Sequence, residues 1–217
     1  MTMTGRTAKM KMTAPALAGL LLGALLPAAA GQRNPDLLRY KAENDRIRST
    51  KVKVLEYGYL TLKYQKDERD PKELPISRVL TVRLGGFPPA YQQGMAAEKQ
   101  AGTVAGSLLE NLEKAANSYA LAAGEEGLRQ PLKAAALYRS AICTLKLALA
   151  ESSWIDRAVT RFREYLQTYP KHHEALQAIL HLGKLLRLKG SPDEALTELK
   201  KIDQKVLDEN IPVIWEV

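Results

Sequence analysis

The residues of this chain that could do chemistry are few, and its three histidines are the first candidates. His173 and His181 are about two helical turns apart with Gln177 between them, so a helix would place all three on one face. Imidazoles at this spacing suit a transition metal, but that face carries no carboxylate or cysteine. We therefore expect no metal site and no cofactor.

Catalytic motifs are absent from the sequence. It contains no Gly-rich phosphate loop, no H-E-x-x-H, no C-x-x-C and no G-x-S-x-G. The single cysteine, Cys143, lies in the apolar stretch "AICTLKLALA", where a free cysteine usually behaves as a small buried hydrophobe. A reactive thiol is the alternative. The sequence predicts a non-enzymatic protein without catalytic residues.

Two stretches of the chain share one spacing. Ala158, Phe162 and Pro170 are four and then eight residues apart, which is the second-helix pattern of a tetratricopeptide unit. A second copy has Leu182, Gly183 and Leu186 in its first helix and Ala195 and Leu199 in its second. The copies are 37 residues apart instead of the usual 34, and the turn around residues 171–173 accommodates the excess. The alternative is an ordinary antiparallel helix pair with Ala and Leu in its core.

Stacked hairpins of this kind form a solenoid with a concave groove. The repeat register predicts that the groove is lined by four residues: Gln177, His181, Lys184 and Arg187. The preceding unit would contribute Ser140, Cys143, Thr144 and Leu147. A groove with a basic wall suits an acidic peptide or partner protein, because Lys and Arg pair with carboxylates. The alternative is a solvated basic face without a ligand.

The N-terminal thirty residues have the pattern of a cleaved signal peptide. Arg6, Lys9 and Lys11 precede an apolar run over residues 14–27, and three alanines at 28–30 suit signal-peptidase cleavage. We expect residues 1–30 to be removed, no membrane span to remain, and the mature chain to be periplasmic or extracellular. An uncleaved N-terminal anchor is the alternative.

A β-module and a helical part follow in order. Apolar and polar residues alternate over residues 47–64 and again over 76–84, which predicts two or three strands in a small sheet or SH3-like module. We place this module at 31–86, with an N-terminal helical lead-in, and the helical repeats at 87–217. Caps and breakers predict six helices, at residues 89–100, 104–123, 128–151, 154–168, 173–188 and from 192 to about 207.

The order of these segments carries a resemblance. A signal peptide, the strands in "KVLEYGYLTLKY" and "ELPISRVLTVRL", the bridge "GGFPPAYQQGMAAEKQAG" and degenerate helical hairpins resemble exported tetratricopeptide-repeat proteins of planctomycete-like bacteria. In that family the bridge leads into a first repeat with an aromatic residue and a glycine one turn on, which Tyr91 and Gly94 match. The resemblance implies a mostly α fold, a short solenoid of about three hairpins behind a small β-module.

The net charge and the C-terminal residues limit the classes of partner that the chain is expected to bind. Part of the formal net charge of +8 belongs to the predicted signal peptide, and aromatic residues make up only 6% of the chain, so a dedicated nucleic-acid binder is not indicated. The apolar run at residues 211–215 has no following helix to cover it. We expect a truncated solenoid or self-association through this end.

The function that these observations favour is a protein-interaction scaffold of the bacterial envelope, which binds a peptide or partner protein in the helical groove. Two alternatives stay open. The chain could be a structural envelope component that holds wall polymer through the β-module, or an auxiliary domain of a larger enzyme.

Overall fold

A computed structural model describes residues 35–202, apart from residues 68, 104 and 105. The expected signal segment at 1–30 and the apolar run at 211–215 lie outside the described residues and stay predictions. In the described part, five strands come first and six helices follow. The expected combination of a β-module with a helical part is confirmed.

The strands form one antiparallel sheet in the order β4-β3-β2-β1-β5. Their bounds are β1 Asp36–Lys41, β2 Ile47–Tyr57, β3 Thr61–Gln65, β4 Lys72–Pro75 and β5 Val79–Arg83. The long β2 pairs with β1 along its first part and with β3 along its second, and the register shifts between Val54 and Glu56. A short 3-10 turn, Ile76–Arg78, joins β4 to β5.

The β-module differs from the sequence-based expectation in two places. The segment expected to be a helical lead-in contains strand β1, because Leu38 packs into the sheet core and the strand alternates buried and exposed residues. The sheet has five strands where the sequence predicted two or three, and residues 47–64 supply two of them, β2 and β3. The break is at Gly58, whose N–H donates to the Thr61 carbonyl over 2.9 Å.

Six helices follow the sheet. Their bounds are α1 Pro89–Ala101, α2 Leu108–Ala123, α3 Gln130–Ala150, α4 Ile155–Thr168, α5 Ala175–Lys189 and α6 Pro192–Leu199. Prolines open α1 and α6, where a missing backbone N–H costs nothing. Gly190 ends α5 in the left-handed conformation, with φ of 86°. None of the helices described is both long and apolar enough to cross a bilayer.

The helices lie in two layers. Each packs against the next in sequence, and side chains then join every second helix. Glu98 of α1 reaches Lys146 of α3, and Tyr138 of α3 reaches Gln177 of α5. The same holds among α2, α4 and α6, as in the ion pair between Arg163 and Glu194. The odd-numbered helices therefore share one face of the helical part, and the even-numbered helices share the other.

The interior of the helical part contains the residues that the repeat pattern placed there. Ala158 and Phe162 are fully buried, and Ala195 is 2% exposed. The last described helix is shorter than expected, since α6 ends at Leu199 and the chain turns so that Ile202 packs against Leu176.

An ion pair with a buried carboxylate joins the sheet to the helices. Asp36 of β1 is 1% exposed, and its carboxylate accepts hydrogen bonds from the N–H groups of Val54 and Gly85, both at 2.7 Å. Arg129, which precedes α3, binds the same carboxylate with two nitrogens at 2.6 and 2.8 Å. Its guanidinium also donates to the carbonyls of Gly85 and Val54. One side-chain pair thus holds two strands, the link to α1 and the start of α3.

We predict that Asp36→Asn destabilises the protein by about 3–5 kcal/mol, because it leaves the Arg129 guanidinium without its carboxylate and turns an amide N–H₂ toward other donors. Urea unfolding would measure the change. The matched control is Glu73→Gln, which removes an exposed carboxylate paired with Lys63 and should cost under about 1 kcal/mol. Equal unfolding midpoints for the two variants would contradict the role assigned to Asp36.

Candidate functional site

The four predicted groove residues lie along α5. Lys184 and Arg187 are exposed, whereas Gln177 and His181 are half-buried. Gln177 accepts a hydrogen bond from the Tyr138 hydroxyl at 2.9 Å, so part of its side chain joins α5 to α3. The His181 ring lies 5.7 Å from that of Phe162, and burial, with the Lys184 charge, lowers its pKa. Lys184 and Arg187 are thus the members of the set that face solvent.

The residues predicted for the preceding unit do not line a surface. Ser140, Cys143, Thr144 and Leu147 are at most 1% exposed, so this expectation is wrong. The Ser140 hydroxyl donates to the Ala116 carbonyl of α2 at 2.8 Å, and burial raises the pKa of the Cys143 thiol to about 12. The repeat spacing misplaced the exposed face of α3 by one residue.

The true accessible stripe of α3 is narrow. This helix is covered by α2 on one side and α4 on the other, and its middle reaches solvent along positions four, three and four residues apart. They are Ala135, Arg139, Ile142 and Lys146, of which Arg139 and Lys146 are exposed. Leu137 is also half-buried, and both Leu137 and Ile142 pack against the core. The stripe therefore presents two cations on the layer that α3 shares with α5.

Glu98 of α1 borders this stripe. Its carboxylate, 14% exposed, accepts hydrogen bonds from Lys146 at 2.7 Å and from the Tyr119 hydroxyl at 3.0 Å, and lies 3.8 Å from Arg139. Burial acts to raise the pKa of Glu98, but the two cations and the Tyr119 hydroxyl prevail, so the pKa lies below its ordinary value of 4.5. Glu98 partly neutralises the α3 stripe and fixes α1 beside it.

A second polar group lies where the sheet meets the α4–α5 turn. Residues 171–174 run beside the turn between β2 and β3, and His172 forms an isolated antiparallel bridge with Gly58. The His173 N–H donates to the Tyr57 carbonyl at 3.0 Å, and the Tyr59 N–H donates to the Lys171 carbonyl at 3.1 Å. A side chain at position 58 would approach the Lys171 carbonyl to 3.3 Å. The close backbone approach explains the glycine.

The side chains of His172, His173 and Glu174, here called the HHE cluster, converge at this junction. One potential ligand atom from each lies within 4.8 Å of the others. The Tyr165 hydroxyl is 2.7 Å from Nδ1 of His172, and the Tyr57 ring stacks on His173 with centroids 3.6 Å apart. Three atoms of the cluster are inaccessible to solvent and have no hydrogen-bond partner: Nε2 of His172, Nδ1 of His173 and Oε2 of Glu174.

Burial sets the protonation of the HHE cluster. It lowers the pKa of His172 to about 4, and together with the neighbouring His172 charge it lowers that of His173 well below the ordinary value. It raises the pKa of Glu174 to about 8, against the opposing charge of Arg139. Burial therefore favours neutral imidazoles and a protonated carboxyl in the cluster.

A pocket of about 210 Å³ opens beside the cluster. It lies between β2, the start of α3 and the end of α4, and His172 lines it together with Tyr57, Pro131 and Tyr169. The pocket therefore borders the cluster at the His172 ring.

The sequence spacing did not reveal the HHE cluster, because it pairs the wrong residues. It placed His173 on one helix face with His181, but α5 begins at Ala175, since the His173 backbone is held by Tyr57. His181 is not part of the cluster. The available signal was the consecutive His-His-Glu itself, but the sequence interpretation assigned residues 171–173 to a turn and Glu174 to the following helix.

No protein-family model, curated protein or solved structure matches the chain.

We predict that Glu98→Gln destabilises the protein by about 1–3 kcal/mol at neutral pH, because Lys146 and Arg139 lose their carboxylate. The folded-state pKa is lowered, so this stabilisation is present above pH 4.5 and is lost as the pH falls through the folded pKa. Thermal unfolding, measured at several pH values from neutral to pH 3, should show that the difference in melting temperature between variant and wild type becomes smaller as the pH falls.

The control is Glu113→Gln, which removes a half-exposed carboxylate 3.7 Å from Arg157 and should have little effect at any pH. If the loss of stability in Glu98→Gln stayed constant down to pH 3, the charge of Glu98 would not be what stabilises the α1–α3 contact.

Proposed function

We propose that the protein is an exported, non-enzymatic interaction scaffold that binds an acidic, extended segment of a partner protein. The binding surface is the face shared by α3 and α5. The observation that carries the proposal is the basic pair on α5: Lys184 and Arg187 are exposed, and neither has a carboxylate within ion-pair distance among the described residues. Charged side chains left unpaired beside a second basic stripe suit a ligand that brings its own carboxylates.

The α3 stripe supports the proposal. Arg139 and Lys146 lie on the layer that α3 shares with α5, and the contact from Tyr138 to Gln177 joins the two helices on that layer. Glu98 balances part of this charge. More unpaired positive charge therefore remains on α5 than on α3. An extended acidic chain lying across both helices would meet cations from each.

Repetition within the helical part supports a tetratricopeptide-like solenoid. Gly94 of α1 faces the Tyr119 ring of α2, and Gly183 of α5 faces the Leu199 side chain of α6. A Cβ at either glycine would lie about 3 Å from the large residue, so the first and third hairpins close on the same small-to-large contact. The β-module is consistent with an SH3-like topology, since β2 is shared between two sets of strands and a 3-10 turn joins the last two.

Export rests on the sequence. The basic start, the short apolar run and the alanines at 28–30 lead us to propose a periplasmic or extracellular location. We predict that protein recovered from the envelope fraction of a bacterial host begins near Gly31, as read by N-terminal sequencing. Recovery of envelope protein that still carries Met1 would contradict cleavage and favour the uncleaved anchor.

The binding surface is tested by charge reversal. We predict that Lys184→Glu with Arg187→Glu weakens binding of a fluorescent Glu-rich peptide roughly tenfold, because two attractive pairs become repulsive. Fluorescence anisotropy at low and high salt would measure it, and the wild-type affinity should fall with salt. Thermal stability should barely change, since both residues are exposed.

The matched control reverses two basic residues elsewhere, Lys114 of α2 and Lys200 after α6, which are exposed and make no ion pair among the described residues. Lys114→Glu with Lys200→Glu changes the net charge equally and should keep most of the affinity. Equal loss in both double variants would show that net charge, and not the α3–α5 face, attracts the peptide.

A further inference from the structure

We propose that His172, His173 and Glu174 bind one divalent transition-metal ion, of the zinc class, at the junction between the sheet and the α4–α5 turn. The inference is independent of the scaffold function, because it concerns a different surface and a different ligand. It rests on the geometry and the donor chemistry of the HHE cluster.

The first observation is the set of atoms without partners. His172 Nε2, His173 Nδ1 and Glu174 Oε2 belong to three consecutive residues, and all three atoms are shielded from solvent. These are the only side-chain atoms of this kind in the part of the chain that the structure describes. A buried polar atom without a hydrogen bond costs about 1–3 kcal/mol, so three in one place call for an occupant. A metal ion or ordered water would supply the missing interactions.

The donor set favours a metal over water. Two imidazoles and one carboxylate form the ligand set of three-residue zinc sites, which leave the fourth position open. One potential ligand atom of each residue lies within 4.8 Å of the others. The Glu174 carboxylate lies 3.6 Å from Nδ1 of His172 and 3.9 Å from Nε2 of His173. Donors on a tetrahedral zinc ion are about 3.4 Å apart, given bond lengths of about 2.1 Å. Binding of zinc would therefore require the donor atoms to approach one another by up to about 1.4 Å.

The surroundings hold the donors in place. The His172 side chain is 6% exposed, and the Tyr165 hydroxyl engages its Nδ1, which leaves Nε2 as the ring nitrogen without a partner. Metal-binding histidines usually make such a contact with the other ring nitrogen, and it orients the ring. The Tyr57 ring stacks flat on His173, and the backbone of His173 is fixed by the same residue.

Access and charge are compatible with an ion. His172 is the member of the cluster that lines the pocket beside Tyr57 and Tyr169, so an ion would enter past the His172 ring. Arg139 is the cation that acts on Glu174, and it also lies 3.8 Å from Glu98. That second carboxylate offsets part of its repulsion toward a bound cation.

The test uses the full, untagged chain after chelator treatment. Calorimetric titration with zinc chloride should show one ion per chain, and cobalt(II) should give the visible absorption of a low-symmetry site. Glu174→Gln and His172→Gln should each weaken zinc binding by at least tenfold. The matched control is His181→Gln, which removes the one histidine outside the cluster and should bind zinc as the wild type does.

A crystal structure of the zinc-treated wild type, with anomalous data at the zinc edge, keeps the test decisive even if a variant fails to fold. A peak bonded to the three side chains would support the proposal. Water density at that position with no anomalous peak, no stoichiometric binding by the wild type, or equal loss of binding in His181→Gln would overturn it.

Discussion

Asp36 places a carboxylate where water cannot reach it, so protein groups must balance its charge. Two backbone N–H groups and the fork of Arg129 do so, and these donors come from β2, from the link to α1 and from the start of α3. A planar guanidinium suits this role better than an ammonium, since it binds the carboxylate with two nitrogens and two carbonyls at the same time. The orientation of the sheet on the helices depends on this pair.

The second sheet–helix contact follows from the first. With β2 held at Val54, its end carries Tyr57 and Gly58 to the α4–α5 turn, where backbone hydrogen bonds fix residues 171–173. The turn then adds Glu174 to the two histidines, and α5 begins immediately afterwards. The same helix leads from the HHE cluster to the basic pair at Lys184 and Arg187. The two candidate sites are therefore close in sequence, one in the turn before α5 and the other partly on α5, but they use different chemistry.

Local sequence signals made the helices predictable. Strand β1, the exposed face of α3 and the HHE cluster were not predictable, because they depend on contacts between residues distant in sequence. Prolines and Gly190 located the helix ends to within a few residues. Strand β1 was missed because its place is set by Asp36 and Leu38, whose partners are distant in sequence. On α3 the cations were visible, but the exposed face could not be assigned without knowing that α2 and α4 cover the others. The HHE cluster required the contact between Gly58 and His172, which no spacing within the chain reveals.

The sheet and the α4–α5 turn form one fixed junction. Hydrogen exchange at the amides of His173 and Tyr59, read by NMR in the full chain, tests it most directly, because these amides make the joining bonds. The account predicts that both exchange only through global unfolding, with the opening free energy of the buried Leu182 amide in α5. Rapid exchange of His173 and Tyr59 while Leu182 stays protected would show that the junction opens by itself, and would contradict a preformed site there.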